Sequence, residues 1–580
     1  MRSRSHASIL PISGLRRAVG LVALSALTAC GGPGPEDPAD TIYHGGPIVT
    51  VDEANPTAEA LAVRDGRIVA VGPEAEAMAL RGSATTVVDL GGRTLAPGFV
   101  DAHAHFAQIG IQAIGANLLA APDGEVETVE DLVAELRAWA EANPDEIERF
   151  GVIFGLGYDD AILGRHPTRD DLDQVSTDVP VVAGHISGHF SAVNSAGLEL
   201  FGYSAETPDP AGGLIRRRPG SQEPNGVLEE LASIPKVLGV LSPRTPEDAL
   251  YGFDRGLEMA KSFGYTTAQE GRAFASTHQG LVAGAEAGVF DIDVVSYVDY
   301  ADREVIDGPW HTEDYRNGYR VGGLKITLDG SPQGRTAWRT EPYLIPPEGQ
   351  PDTYAGYPAI EDDAVVQGLL EEAYEKGWQT LVHTNGDAAV DQLIRTDRAA
   401  QEAAGVEDPA ARRFVLIHGQ YIREDQLDSI ADLGLIASLF PMHTFYWGDW
   451  HAQIIGEEKG RFISPTRTAL DKGLVVTSHT DAPVALPNLM QVMWATVNRV
   501  SRSGRVIGPD QRVTPAEAFR MITLDGAYQH FEEDEKGSLE VGKLADLVIL
   551  SDNPITIDPM EINRIQVMET IKEGRTVYTR

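Results

Sequence analysis

Cysteine is almost absent from this chain of 580 residues. With Cys30 alone, there is no intramolecular disulfide framework and no Cys-rich zinc or iron–sulfur cluster. Basic residues are also scarce: 47 Lys and Arg against 86 Asp and Glu give a formal net charge of −39. Such a field repels phosphate backbones and argues against a nucleic-acid partner. A bilayer-spanning run is missing too, because the apolar stretch from Ala18 to Ala29 falls short of the ~20 residues a helix needs to cross. What remains is an ordinary globular composition, 42% hydrophobic and 23% charged, which sets disordered, collagenous and polytopic membrane classes aside.

Position makes the single cysteine informative. Arg2, Arg4, Arg16 and Arg17 precede the short apolar stretch, the pattern of an export signal over residues 1–29. Its end, Leu27-Thr28-Ala29-Cys30-Gly31, resembles the bacterial lipobox, so Cys30 is the expected lipidation site of a protein facing the periplasm or exterior. Residues 30–40 are rich in Pro and Gly and read as a flexible tether. Either Sec or twin-arginine export fits this leader.

Short alternating strands fill residues 41–95, and the same pattern returns over 537–580. Both ends together predict one small composite β-sandwich domain. Between them, over 96–536, strands alternate with helical stretches, the mark of βαβ units. Ten strand candidates appear where a (β/α)8 barrel needs eight. Counting back from the Val475 strand as the eighth leaves the surplus pair in an insertion of about 106–255 after the first barrel strand. The predicted class is therefore α/β, a TIM-like barrel with that insertion plus the terminal β domain.

Several of these strands end in a metal-ligand residue type. Ala96 to His103 runs into His103-Ala104-His105, and period-two alternation sends both imidazoles to one side. Leu381-Val382-His383 and Leu416-Ile417-His418 also finish in histidine, and the eighth candidate reaches Asp481. Lys325 interrupts the apolar Gly323 to Ile326, where a bare ammonium is costly. Strand ends share one rim in a barrel, so these groups converge there.

With Ala96-Pro97-Gly98-Phe99-Val100-Asp101-Ala102-His103-Ala104-His105, Lys325 to Ala337, His383 to Asp391, Ile417-His418-Gly419-Gln420 and Thr480 to Val484 in view, the chain resembles the amidohydrolase superfamily. The likeness is to the branch that includes N-substituted formamide deformylases. It implies one or two divalent metals, zinc being expected, held by His103, His105, Lys325, His383, His418 and Asp481. It also implies a CO2-derived carbamate on Lys325 as a bridging ligand. Asp481 would serve as the catalytic proton acceptor and donor while a metal-activated hydroxide cleaves a C–N bond in an amide, formamide or cyclic amide. Thr384-Asn385, Ala388 and Gly419 depart from the family pattern and alter the pocket wall. A lactonase or esterase on the same site and a non-catalytic substrate-binding lipoprotein are the alternatives.

Further candidates surround this set. His189 in the insertion, Arg335 after Gly334, and His443 among the aromatics that follow the seventh strand are candidate substrate contacts, the partner being a small molecule. Asp387 is a candidate to orient a ligand, and His479 is expected beside the ligands rather than among them.

Overall fold

The computed structural model describes residues 37–580 apart from 187–189, 211–212, 242–244 and 348–349. Cys30 with its leader, and His189, lie outside the described residues. No helix among the described residues is long and apolar enough to cross a membrane.

Eight parallel strands follow one another in sequence order: Phe99–Val100, Tyr265–Ala273, Asp293–Asp299, Tyr319–Thr327, Gln379–Thr384, Val415–His418, Ile436–Leu439 and Val476–Ser478. The last meets the first through the segments just beyond them. Asp481 N–H donates to the His103 carbonyl at 3.1 Å, and His105 N–H donates to Ala482 O at 2.8 Å. Alternation divides the side chains between two cores. Val295, Tyr297, Leu381, Val415, Ile417 and Ile436 cluster inside the ring. Their neighbours Val294, Val298, Leu324, Ile326, Val382 and Leu416 join the larger core shared with the helices.

The expected first strand, Ala96 to His103, is in fact two. Thr94–Pro97 pairs antiparallel with Leu547–Leu550 outside the barrel, and Phe99–Val100 then enters the barrel beside Tyr265 and Thr267. Gly98 allows the transfer, because a Cβ there would lie 2.3 Å from Thr266 Cγ2. Continuous apolar sequence hides such a break.

Strands from both chain ends share one eight-stranded sheet. Its hydrogen-bonded path runs Arg575–Thr579, Val567–Lys572, Leu547–Leu550, Thr94–Pro97, Thr41–Val49, Thr57–Arg64 and Arg67–Gly72, with Thr86–Asp89 beside Thr41–Val49. Tyr43, Leu61, Leu95, Leu547 and Ile571 belong to one buried core of this sheet.

Between the first and second barrel strands lies a separate six-stranded sheet, ordered Gly213–Arg217, Pro224–Glu230, Phe190–Val193, Val181–His185, Ile153–Tyr158 and Ala116–Asn117. Two helices flank it in sequence. Phe106–Ile114 leaves the barrel mouth, and Pro246–Ser262 returns to it. The returning helix starts at Thr245, whose side chain and Asp248 form a reciprocal capping box.

At the opposite end, the barrel base joins the terminal sheet through buried charges. Lys572 contacts Asp293 at 2.7 Å and Asp546 at 2.8 Å. Lys536 contacts Asp293 at 2.5 Å and Glu532 at 3.1 Å, and Glu532 also meets Arg320 at 2.8 Å. All six side chains are buried.

Candidate metal centre

His103, His105 and Asp481 present ligand-type atoms that all lie within 4.8 Å of one another at the barrel mouth. Asp481 Oδ1 is 3.4 Å from His105 Nε2 and 3.7 Å from His103 Nε2. Lys325 Nζ lies 3.1 Å from His103 Nε2, and His418 Nε2 lies 3.9 Å from Asp481 Oδ2. His383 is a neighbour rather than a member of this tight group. Its ring packs edge-on against His418 with centroids 4.7 Å apart, while Nε2 meets Asn385 Nδ2 at 3.2 Å and Nδ1 lies 3.3 Å from Asp329 Oδ1.

Local geometry explains how each group arrives. Lys325 and His383 point inward by simple alternation, since Leu324, Ile326 and Val382 face the helices. His418 does not follow that rule. Its neighbour Ile417 already points inward, and the histidine reaches the mouth on a left-handed backbone, φ 75°. Asp481 is held similarly at φ 53°. Non-glycine residues adopt this region at a cost of about 1–3 kcal/mol each, typically where surrounding structure enforces a functional orientation.

Polar neighbours fix the imidazole tautomers. Gln269 Nε2 donates to Ala102 O at 2.6 Å, so its Oε1 must accept from His103 Nδ1–H at 2.7 Å. That leaves the His103 Nε2 lone pair facing Lys325 and Asp481. His479 lies buried behind His418, its Nε2 3.0 Å from His418 Nδ1 and its Nδ1 2.9 Å from Ser438 Oγ. A Ser438–His479–His418 relay in which each imidazole donates through Nδ1 likewise turns His418 Nε2 to the mouth. Gly271 makes room for the first ligand, because a Cβ there would sit 2.2 Å from His103 Cε1.

Glu270 serves two elements at once. Oε2 accepts from Ala107 N–H at 2.9 Å, capping the first turn of the Phe106–Ile114 helix, and Oε1 lies 3.7 Å from His105 Nδ1. Asp329, also buried, accepts from Asn385 N–H at 2.8 Å, Gly386 N–H at 2.7 Å and Trp338 N–H at 3.0 Å, tying together the loops after the fourth and fifth strands. Sequence reasoning overlooked Gln269, Glu270 and Asp329. Gln269 and Glu270 sit within the strand Tyr265–Ala273 as buried polar residues, and Asp329 lies just beyond the strand that ends at Thr327.

The electrostatics suit a cation. Burial drives His103 and His418 well below the usual imidazole range, so both are neutral donors. Burial also lowers Lys325, to about 7, and no carboxylate lies within 4.0 Å of its ammonium among the described residues. His105 differs: burial pulls it down, but the carboxylates of Asp481 and Glu270 outweigh that and push it up to about 9. A field that retains a proton there also attracts a metal ion, which displaces the proton on binding. His105 Nδ1 is a buried atom without a hydrogen-bond partner among the described residues. Two imidazoles, a carboxylate and a buried amine form a donor set that fits a divalent cation.

The other candidates are placed elsewhere. Arg335 directs Nη1 to the carbonyls of Ile345 and Pro346, both at 3.2 Å, and its guanidinium lies over Trp450. His443 is buried, with Nδ1 3.0 Å from His451 Nε2 and its ring against Phe440 and Trp447. Asp387 binds Thr340 and Arg423 rather than a histidine. In the insertion, His185 Nε2 meets Asp160 Oδ1 at 2.9 Å.

Comparison with known proteins agrees with this architecture. Over 551 residues the chain is 27% identical to the N-substituted formamide deformylase of Arthrobacter pascens, covering 92% of this chain and 97% of that protein. It is 26% identical to the putative amidohydrolase YtcJ of Bacillus subtilis, covering 93% and 99% respectively. The fold matches an uncharacterized metal-dependent hydrolase from Pyrococcus horikoshii with a TM-score of 0.69 and 22% identity, over 90% of this chain and 99% of that one. A family model described as the amidohydrolase family matches residues 86–578, a span that includes every residue gathered at the barrel mouth, and the chain belongs to that family.

Proposed function

We propose that the protein is a metal-dependent hydrolase that cleaves a C–N bond in an amide, a formamide or a cyclic amide. The observation that carries this reading is the convergence of His103, His105, Asp481 and Lys325 at one barrel mouth. A divalent cation held there, most simply zinc, supplies Lewis acidity to water and to the substrate carbonyl. His103 and His105 would hold it, His103 with its Nδ1–H committed to Gln269. Asp481 would help to hold the cation and takes the proton that the attacking water gives up. It then returns that proton to the departing nitrogen, which leaves poorly as an anion.

Lys325 completes the reading. A buried amine near neutrality is nucleophilic towards CO2, and addition with loss of one proton gives a carbamate. That change would turn a buried amine beside His103 into an anionic ligand. The names of the relatives support C–N chemistry: the Arthrobacter pascens protein is a formamide deformylase. Residues 1–30 fit the accompanying proposal of export and a lipid on Cys30, with a small-molecule substrate met outside the cytoplasm.

The test is metal analysis of the purified protein together with hydrolysis of matched amide and ester panels before and after chelation. Metal-restored amide cleavage is expected. Ester or lactone cleavage alone would overturn the C–N assignment, and full activity in the metal-stripped protein would overturn the metal dependence.

A further inference from the structure

Apolar space continues away from the metal centre. A cavity of about 420 Å³ begins at His105 and is walled by Leu156, Phe190, Val237 and Leu241 of the insertion and by Val484 of the barrel. A second, of about 470 Å³, lies along the Phe106–Ile114 helix and shares Gln108, Ile111 and Leu241 with the first. A narrow gap of about 20 Å³ touches the same Ile111 and Leu241 and ends on Trp139 and Phe150. Ile111 and Leu241 therefore line all three spaces.

The charged side chains along this route are already engaged. Arg272 Nε meets Asp299 at 2.7 Å, His185 meets Asp160 at 2.9 Å, and Asp248 meets Arg149 at 2.9 Å. One polar atom points to a ligand: Gln112 Oε1, which lines the first cavity, is buried with no hydrogen-bond partner among the described residues. A buried acceptor in that state costs free energy until a donor arrives.

We propose that this space is a binding site for an unbranched apolar chain attached to the scissile amide, with Gln112 Oε1 accepting the amide N–H. The inference rests on the hydrolase reading and names its substrate class: amides bearing an alkyl or acyl chain. A slender chain suits this place because a chain passing Ile111 and Leu241 meets apolar side chains in each of the three spaces they line. Transfer of each methylene from water into such a cavity tightens binding about three- to fourfold.

The experiment measures equilibrium binding of two amide series to the metal-loaded Asp481→Asn protein by titration calorimetry. One series lengthens the acyl side from acetyl to decanoyl, and the other lengthens the nitrogen substituent over the same range. In one arm, affinity should rise about three- to fourfold per methylene. The slope should collapse in Leu241→Asp and Ile111→Asp, with the shortest member unaffected. Gln112→Leu should weaken every member about equally and preserve the slope, which separates the polar contact from the apolar one and reads out even if an aspartate variant fails to fold. Flat affinity in both arms, or an unchanged slope in both aspartate variants that fold, overturns the proposal. If the wild-type protein cleaves no amide of any length, the hydrolase reading fails on its own, while the binding slope still decides the cavity.

Discussion

The barrel buries lysines at both ends and treats them in opposite ways. At the base, Lys536 and Lys572 each meet at least two carboxylates, so burial is offset and both stay more strongly protonated than an ordinary lysine. At the mouth, Lys325 is equally buried but meets an imidazole, and its proton is loosely held. One end is electrically complete. At the other, the buried amine faces a nitrogen base and no carboxylate closes on it among the described residues. The difference teaches that buried charge marks function only where the pairing is unfinished.

That contrast can be broken most sharply at the mouth. Asp481→Asn should lower kcat by roughly 10²–10⁴-fold while circular dichroism and most of the metal content stay as in the wild type. Wild-type turnover would remove the proton-transfer role. At the base, Lys572→Ala strands Asp293 and Asp546 without one shared partner. It should cost about 3–5 kcal/mol in urea unfolding and leave metal stoichiometry intact. Lys325→Ala should show the reverse, with metal lost and stability little changed; a variant that keeps its full metal complement would argue against the bridging carbamate.

Smaller effects sharpen the comparison. Gln269→Leu removes the acceptor that fixes the His103 tautomer and should weaken metal affinity about 10–100-fold, read by competition with a chromophoric chelator. At the base, burial alone would raise Glu532, but Lys536 and Arg320 outweigh it and hold it well below the usual carboxylate range. A depressed folded value contributes stability above the unfolded carboxylate pKa of ~4.3, and that stability is lost as the pH falls further. Urea midpoints should therefore drop on acidification below about pH 5, and Glu532→Gln should lessen that dependence.

Much of the mouth was legible in the sequence because strand alternation is a strict rule. Lys325 between Leu324 and Ile326, and His383 after Val382, could be assigned to the interior from spacing alone. His418 could not, since its left-handed backbone overrides the alternation that Ile417 sets. Gln269, Glu270 and Asp329 looked like unremarkable polar positions because their work is to position ligands rather than to bind metal. Arg335 and His443 stood at plausible places in the chain, but the turn carrying Arg335 bends back to local carbonyls, and His443 lies on the helix Met442–Ile455, where it meets His451 two turns on. The split at Gly98 was hidden because both halves are apolar and extended.

The terminal sheet has a consequence for how the chain is made. Thr94–Pro97 is zipped to Leu547–Leu550, and Arg67 grips the Gly542 carbonyl across 475 positions. The first strands pair locally, but the ribosome must deliver nearly the whole polypeptide before Thr94–Pro97 meets Leu547–Leu550, so completing this sheet waits on a distant and therefore slow pairing. Until that late zippering, the side of Thr94–Pro97 that meets Leu547–Leu550 keeps its backbone groups unpaired.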